Sequence, residues 1–461
     1  MSVTSARERL AHQITGRVYD GAAAEAVVEA AGFNTAVHHL PAVVVAARTA
    51  QDVAVAVRYA NDEGLPVTVQ ATGHGAVAPS VGSVLVSTKG MQGVAVQPDA
   101  RRARVGAGVR WRSVIDAAVP HGLAPMSGSS SGVGVIGYTL GGGMGHLARR
   151  HGFAADHVRS VELVTADGDI RTVDAQTDPE LFWAVRGGQS RFGIATALEF
   201  DLIPVPVFFG GSMYFTGPAV TDVLHAWSAW APTMPEDVTT SVALLRLPPI
   251  NEVPPPLRGV VSLAVRFGLT GPAERGEPLL EPMRRVAAPV LDSVGAMSFA
   301  AVDGIHMDPP EPLPAVARGG LLRSMDAALI DSLLGVAGPD VDVPLAAVEL
   351  RLMGGALSRP AEVPNAVAGR DGAYSLSVVA PAPPALRDVA PVVTGAVVEA
   401  LTPWSTGSSL VNFAGHESGP EQSNAWAPDA LERLRRVKAR VDPEDVFGGG
   451  LGAAADAAVV R

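Results

Sequence analysis

The 461-residue chain contains no cysteine, which excludes disulfides, thiolate metal sites, iron–sulfur clusters and a cysteine nucleophile. Aromatic residues are few, 12 Phe, 6 Trp and 5 Tyr, which argues against a stacking platform for sugars. Positive charge is also short. The 35 Lys and Arg against 46 Asp and Glu leave a formal charge of −11, so no nucleic-acid or anionic-lipid partner is expected. No window of membrane-spanning length is apolar without a charge or a Gly/Pro break, so no membrane partner is expected either. The first twenty residues place Arg7, Glu8, Arg9, His12 and Arg17 among the apolar ones. That pattern is not a secretory signal, and a cytoplasmic location is expected.

Glycine, by contrast, is abundant, with 50 residues. Two glycine-rich stretches stand out: Gln70-Ala71-Thr72-Gly73-His74-Gly75, and the longer run from Ser127 to Gly145. Glycine permits positive φ and lets backbone N–H groups crowd against a ligand, so such loops suit a phosphate-bearing cofactor. Before the first loop, Val43–Ala46, a helical stripe of Val53, Val57 and Ala60, and Pro66–Val69 predict a strand–helix–strand unit. Further on, Val161–Val173 predicts a hairpin turning at Asp167-Gly168, and Asp178-Pro179 predicts a helix start. A strand over Ile194–Asp201 closes this region at Pro204.

From Phe208 to Ser409, proline-rich breaks separate apolar runs such as 241–245, 260–265 and 347–352, with helices near 219–231 and 324–334. This predicts an antiparallel sheet with helices on one side. A tail helix is expected over Asp429–Val441, with Arg433, Arg435, Arg436, Lys438 and Arg440 on exposed faces.

The spelling Gly132-x-Gly134-x-x-Gly137 matches a dinucleotide fingerprint, but no apolar strand precedes it, so the nicotinamide reading is set aside. His146 and His151 are five apart and lack a third partner, so no metal is expected.

The ordered motifs Thr72–Gly75, Gly128–Gly134, Leu140–Gly145, Val164–Gly168, Asp178–Trp183, Arg186–Gly188 and Phe192–Thr196 together resemble the FAD-binding domain of the PCMH-type vanillyl-alcohol-oxidase superfamily. The berberine-bridge-enzyme-like branch is the nearest match. The resemblance covers residues 36–206 and part of 410–447, and the middle of the chain only weakly. It implies an α+β fold: a two-lobed FAD-binding domain, split between an N-terminal and a C-terminal segment, around a central substrate domain of antiparallel sheet plus helices. The implied boundaries are an extension over 1–35, the FAD-binding domain at 36–207, the substrate domain at 208–409 and a returning segment at 410–461.

FAD is the implied cofactor. The resemblance places it on Gln70, Ala71, Thr72, Gly73, His74 and Gly75 of the first loop. From the second it takes Ser127, Gly128, Ser129, Ser130, Val133, Gly134, Gly137, Tyr138, Gly141, Gly142 and Gly145, with Ile194 toward the adenine and Asn412 near the flavin. His74 matches the histidine that members of the family bond to the flavin; the plain alternative is a loop histidine with only a hydrogen bond. Ser130 stands where doubly linked members carry cysteine, so at most one covalent bond is implied. Gln70 stands where arginine is common, and Val133, at the oxygen approach, is oxidase-like or simply apolar packing.

The family's Tyr-x-Asn-Tyr segment reads Leu410-Val411-Asn412-Phe413 here, so its tyrosine base is missing while Asn412 is kept. Glu349 and Arg351 alternate on one strand and share a face. They are the candidate base and substrate anchor, or else an ion pair on a solvated face. His306 and Tyr374 are further candidates for the base. The implied function is an FAD-dependent oxidase removing hydride from an alcohol, amine or natural-product C–H of a small molecule, with oxygen as acceptor. The alternatives are a dehydrogenase with another acceptor, and a redox-silent cyclase or binding protein.

Overall fold

The computed structural model describes residues 6–415, 425–448 and 451. The rest of the expected returning segment 410–461, and the start of 1–35, lie outside the described residues.

The first layer is a four-stranded sheet of β1 (Arg17–Asp20), β2 (Val43–Ala46), β3 (Val67–Gln70) and β4 (Val84–Ser87), ordered β1-β2-β4-β3. β4 runs parallel to both β2 and β3, and the helix Ala50–Glu63 crosses between β2 and β3. Val43, Val44, Val45, Val84, Leu85 and Val86 are all buried, as strands covered on both faces require. Thr49 caps the helix by accepting from Asp52 N–H at 3.1 Å, and Gly64 ends it at φ +64°. Within the expected extension, β1 joins the first sheet, pairing with β2 throughout its length.

The second sheet comprises β5 (Val94–Gln97), β6 (Arg102–Gly106), β8 (Val158–Val164), β9 (Ile170–Val173) and β10 (Ile194–Asp201), ordered β5-β6-β10-β8-β9. Between them β7 (Leu123–Ala124) pairs with β11 (Ile203–Pro204). Asp178 accepts from Leu181 N–H at 3.0 Å and starts the helix Pro179–Gly188. One apolar core joins these sheets and helices.

The third sheet consists of β12 (Phe208–Thr216), β13 (Val238–Arg246), β14 (Val261–Thr270), β15 (Leu291–Asp292), β16 (Gly295–Met297), β17 (Ala315–Leu322), β18 (Ala347–Leu352) and β19 (Tyr374–Pro381). Its order is β15-β12-β14-β13-β18-β19-β17, with β16 beside β12, and every pair is antiparallel. One face carries Met213, Val242, Val265, Leu350 and Leu376 into a separate core beneath helices such as Ala219–Trp230 and Ala327–Ala337. The other face is not uniformly apolar. Register aligns Ser212, Arg266, Ser241, Arg351 and Ser375 in one row across five strands. All five except Arg351 are buried residues, and the Arg351 side chain is 14% exposed.

The lobes are tied by buried cations. Arg149 donates to the carbonyls of Met353, Pro235 and Met234 at 2.9–3.2 Å, and Arg186 to those of Val363 and Pro364. Asp303, in the segment between β16 and β17, accepts from Ser131 N–H at 2.8 Å and from Arg112 at 2.8 Å.

The tail helix, Pro428–Val441, returns to the first lobe, where Leu434, Val437 and Val441 enter its core. Exposure of all its basic residues does not hold. Lys438 is buried, reaching Asp442 at 2.5 Å and the carbonyl of Arg191 at 2.9 Å. Its position one turn before a fully buried carboxylate turns it inward.

Candidate active site

β3 delivers Gln70 to the first glycine-rich loop, where the side chain is engaged internally: Nε2 donates to Ala30 O at 2.7 Å, and Oε1 meets His39 Nε2 at 2.8 Å. Gly73 sits at φ +72°, and a Cβ there would lie 2.5 Å from Gly32 Cα. That close approach brings Phe33 onto His74, ring on ring, with centroids 3.9 Å apart and planes 11° from parallel. His74 Nδ1 meets Thr72 Oγ1 at 2.9 Å. Burial, aided by the charge of Arg110, pushes the imidazole down to about 4. His74 is therefore neutral near pH 7.

The second loop packs against the first, since a Cβ on Gly134 would meet Thr72 Oγ1 at 3.3 Å and Ala71 Cβ at 3.8 Å. Val133 O accepts from Trp111 N–H at 3.0 Å, and Arg110 donates to Gly132 O at 3.0 Å. Ser130 Oγ accepts from Gly132 N–H at 3.3 Å, and Ser129 Oγ donates to Asp308 at 2.8 Å. The short helix Val135–Leu140 follows. Gly75 and Gly137 have nothing within 4 Å of a built Cβ, leaving open space over their backbone.

Farther along, the glycines are demanded by packing. A Cβ would lie 1.9 Å from Asn412 Oδ1 at Gly141 and 1.8 Å from Ser127 O at Gly145, while Gly142 has φ +110°. Gly128 lies under the Tyr138 ring. Asn412 donates to Tyr138 O at 2.8 Å, and Ile194 is wholly buried at the start of β10.

At the end of this run lies a cavity lined by Met144, His146, Arg149, Ser241, Arg266, Phe267, His306, Arg351 and Leu357, among others. Glu349 is buried beside it, not on a solvated face. Its Oε1 accepts from Arg266 at 2.6 Å, Ser241 at 2.8 Å and His306 Nε2 at 3.2 Å, and its Oε2 from Arg351 Nε at 2.8 Å. Burial alone would raise the carboxyl, but Arg351, Arg266 and the His306 bond outweigh it and hold Glu349 well below the usual carboxylate range. A carboxylate with four donors and so low a proton affinity is a fixed anion, and its geometry does not fit the candidate base. Arg351 lies with its guanidinium carbon 5.5 Å from the Phe413 ring centre.

His306 and His146 face each other across the lobes with ring centres 5.0 Å apart. Burial pushes His146 down to about 3, and burial with Arg266 pushes His306 well below its ordinary value. Tyr374 packs in the far core, on the helix-covered side of the sheet.

Sequence reasoning missed Arg266, His146 as a cavity residue, Phe33, Arg110 and Asp303. Arg266 had a readable signal, a lone charge within the apolar run of β14.

The chain's residues fit FAD. Ser127 Oγ, Thr139 Oγ1, Tyr138 OH and His146 Nε2 are buried along the second loop with no partner among the described residues. Open backbone at Gly75 and Gly137, with Arg110 held on the second loop at Gly132 O, suits a pyrophosphate. Among the described residues no group of three His, Asp or Glu could hold a metal, and no helix is long and apolar enough to cross a membrane.

A family model described as an FAD binding domain matches residues 41–174. The chain is 27% identical over 427 residues to (R)-6-hydroxynicotine oxidase of Paenarthrobacter nicotinovorans, covering 88% of this chain and 90% of that one. Its fold matches BBE-like 1 of Physcomitrella patens with TM-score 0.83 at 19% identity, over 96% and 98% of the two chains. It also matches glucooligosaccharide oxidase of Acremonium strictum, described as carrying 6-S-cysteinyl, 8α-N1-histidyl FAD, with TM-score 0.82 at 20% identity over 96% and 98%.

Proposed function

We propose that this chain, an FAD-dependent oxidoreductase with the PCMH-type, berberine-bridge-enzyme-like fold and oxidases among its relatives, is itself an oxidase. It would remove hydride from a C–H bond beside the hydroxyl or amine of a small molecule and pass the electrons to oxygen. The observation that carries this reading is the pairing of a glycine-rich cradle, with its orphaned polar groups, and a buried Arg–Glu–His cluster facing one cavity.

Bound FAD supplies a hydride acceptor; the chain supplies placement and proton handling. Backbone N–H groups of the two loops and Arg110 would hold the pyrophosphate, and His74 is the single residue offered for a covalent bond. Its neutral ring keeps a nitrogen lone pair available. Ser130 cannot supply a thioether.

Glu349 is a positioning residue. As an anion it accepts from His306 Nε2–H, which fixes the tautomer and leaves His306 Nδ1 as a bare acceptor with no partner among the described residues. A substrate O–H or N–H can deliver its proton there. This replaces the tyrosine that Phe413 lacks. Asn412 acts through Tyr138 O, anchoring the second loop.

The test is oxygen consumption with peroxide release during substrate turnover by the yellow, purified protein. Reduction that persists in air would make it a dehydrogenase, and a flavin that no hydroxyl or amine compound bleaches would overturn the redox reading.

A further inference from the structure

We infer that the cavity between the lobes takes its substrate through a delocalised oxyanion, a carboxylate or an ionised enol or phenol, seated between Arg266 and Arg351. This deepens the proposed oxidase reading by naming the substrate class of its site.

The transverse row on the third sheet sets two guanidiniums on either side of Ser241. Glu349, two residues along β18 from the row and on the same face, is the only carboxylate bonded to them among the described residues. Side-chain exposures are 6% for Arg266, 14% for Arg351 and 9% for Glu349. Asp303 pairs with Arg112 and Ser131, while Asp308, which accepts from Ser129, is exposed and attracts Arg351 only from a distance. Two buried cations thus share one buried anion. The histidines do not alter the sum, because both are neutral at ordinary pH. A buried unit of uncompensated charge costs several kcal/mol unless a counter-charge joins it.

The hydrogen-bonding inventory points the same way. Arg266 Nε and Ser375 Oγ on the row are buried with no partner among the described residues. Both can donate, and an oxyanion accepts. Guanidinium pairs with carboxylates and similar planar oxyanions through parallel N–H···O bonds. His306 Nδ1 beside them is a bare acceptor, and His146 Nε2 is likewise without a partner among the described residues, so the same ligand would also bring an O–H or N–H. Met144, Ala148, Phe267, Leu352 and Leu357 are also among the lining residues. A cationic amine substrate would meet like charge, and a neutral polyol would leave the excess charge unmatched.

The experiment is calorimetric titration of the purified, FAD-loaded protein with acetate, benzoate and phenolate-forming 4-nitrophenol, against acetamide, benzamide and benzylamine. The bound flavin's visible spectrum is followed in parallel. Each carboxylate is expected to bind at least about tenfold more tightly than its amide, and benzylamine least. Preference for 4-nitrophenolate over the carboxylates would assign the oxyanion to a phenol or enol. Arg351→Met should lower carboxylate affinity about tenfold while leaving amide binding unchanged, and Arg351→Lys should restore part of it. Equal binding of acid and amide, or no binding of any anion, overturns the inference. If Arg351→Met does not fold, the wild-type ligand series still decides. Protein purified without flavin would sink the oxidase reading, whereas flavin-loaded protein indifferent to anions would sink only this one.

Discussion

His306 Nε2 lies 3.2 Å from Glu349 Oε1, and the bond can run in only one direction. Arg266 and Arg351 hold Glu349 as an anion despite its burial, so the hydrogen must sit on His306 Nε2 and the lone pair on Nδ1. The groups facing His306 are Glu349 and Arg351 from β18, Arg266 from β14 and His146 from the glycine-rich run. Burial and Arg266 keep the ring well below its ordinary value, so it stays unprotonated as pH falls through 6.5. The expected kcat/KM profile is therefore flat from pH 8 down to about 5.5, with no acid limb near the usual histidine value. A limb at about 6.5 would remove His306 from this role.

Glu349→Gln removes the anion from between two buried guanidiniums. Destabilisation of about 3–5 kcal/mol in urea unfolding is expected, because two cations are left facing each other. His306 would also lose its tautomer lock, so kcat should fall more than KM rises. An unchanged kcat in folded Glu349→Gln would show that Glu349 only stabilises the fold.

For His74 the prediction concerns attachment of the cofactor. Yellow colour should stay with acid-precipitated wild-type protein and leave with the supernatant in His74→Ala. Because the ring is held at about 4, attachment to cofactor-free protein should be nearly as fast at pH 5.5 as at 8. An ordinary histidine would be only about 10% neutral at pH 5.5 and correspondingly slow.

Two glycines of the long loop should respond oppositely. Gly145→Ala places a Cβ 1.8 Å from Ser127 O and should cost about 3 kcal/mol through forced displacement of the loop. Gly137→Ala meets nothing and lies within a helix, so the cofactor-free protein should gain up to about 1 kcal/mol. If the Gly137 backbone is where the cofactor approaches, the same variant should bind FAD less tightly, measured by fluorescence titration. Unaltered FAD affinity would take Gly137 out of the cradle.

Lys438→Met should destabilise the protein by about 3 kcal/mol, since Asp442, 2% exposed, loses its buried cation. Thermal or urea unfolding without activity measurement suffices. Arg433→Met, on the exposed rim of the same helix against Glu180, should change stability by less than about 1 kcal/mol.

Much of the first lobe was legible because its determinants are local. The apolar strands β2 and β4, the Thr49 and Asp178 caps and the Asp167-Gly168 turn each depend on neighbours within a few residues. The glycine-rich loops were legible for the same reason: glycine density departs from what ordinary loops need. Local pattern also placed Glu349 and Arg351 on one face of a strand.

What that face looks onto was decided only by tertiary structure. Arg266 and Glu349 stand 83 residues apart in the chain, yet antiparallel register sets Arg266, Ser241 and Arg351 side by side and turns Glu349 from a candidate base into a fixed anion. His306 arrives from a different loop and His146 from the other lobe. The burial of Lys438 likewise follows from packing of the tail helix on the first lobe. By itself the sequence determined the two glycine-rich loops and the close backbone approaches they allow, because glycine's missing Cβ acts where it stands. The cluster opposite it exists only in the folded chain, because charge and proton affinity are set by neighbours that the chain order keeps apart.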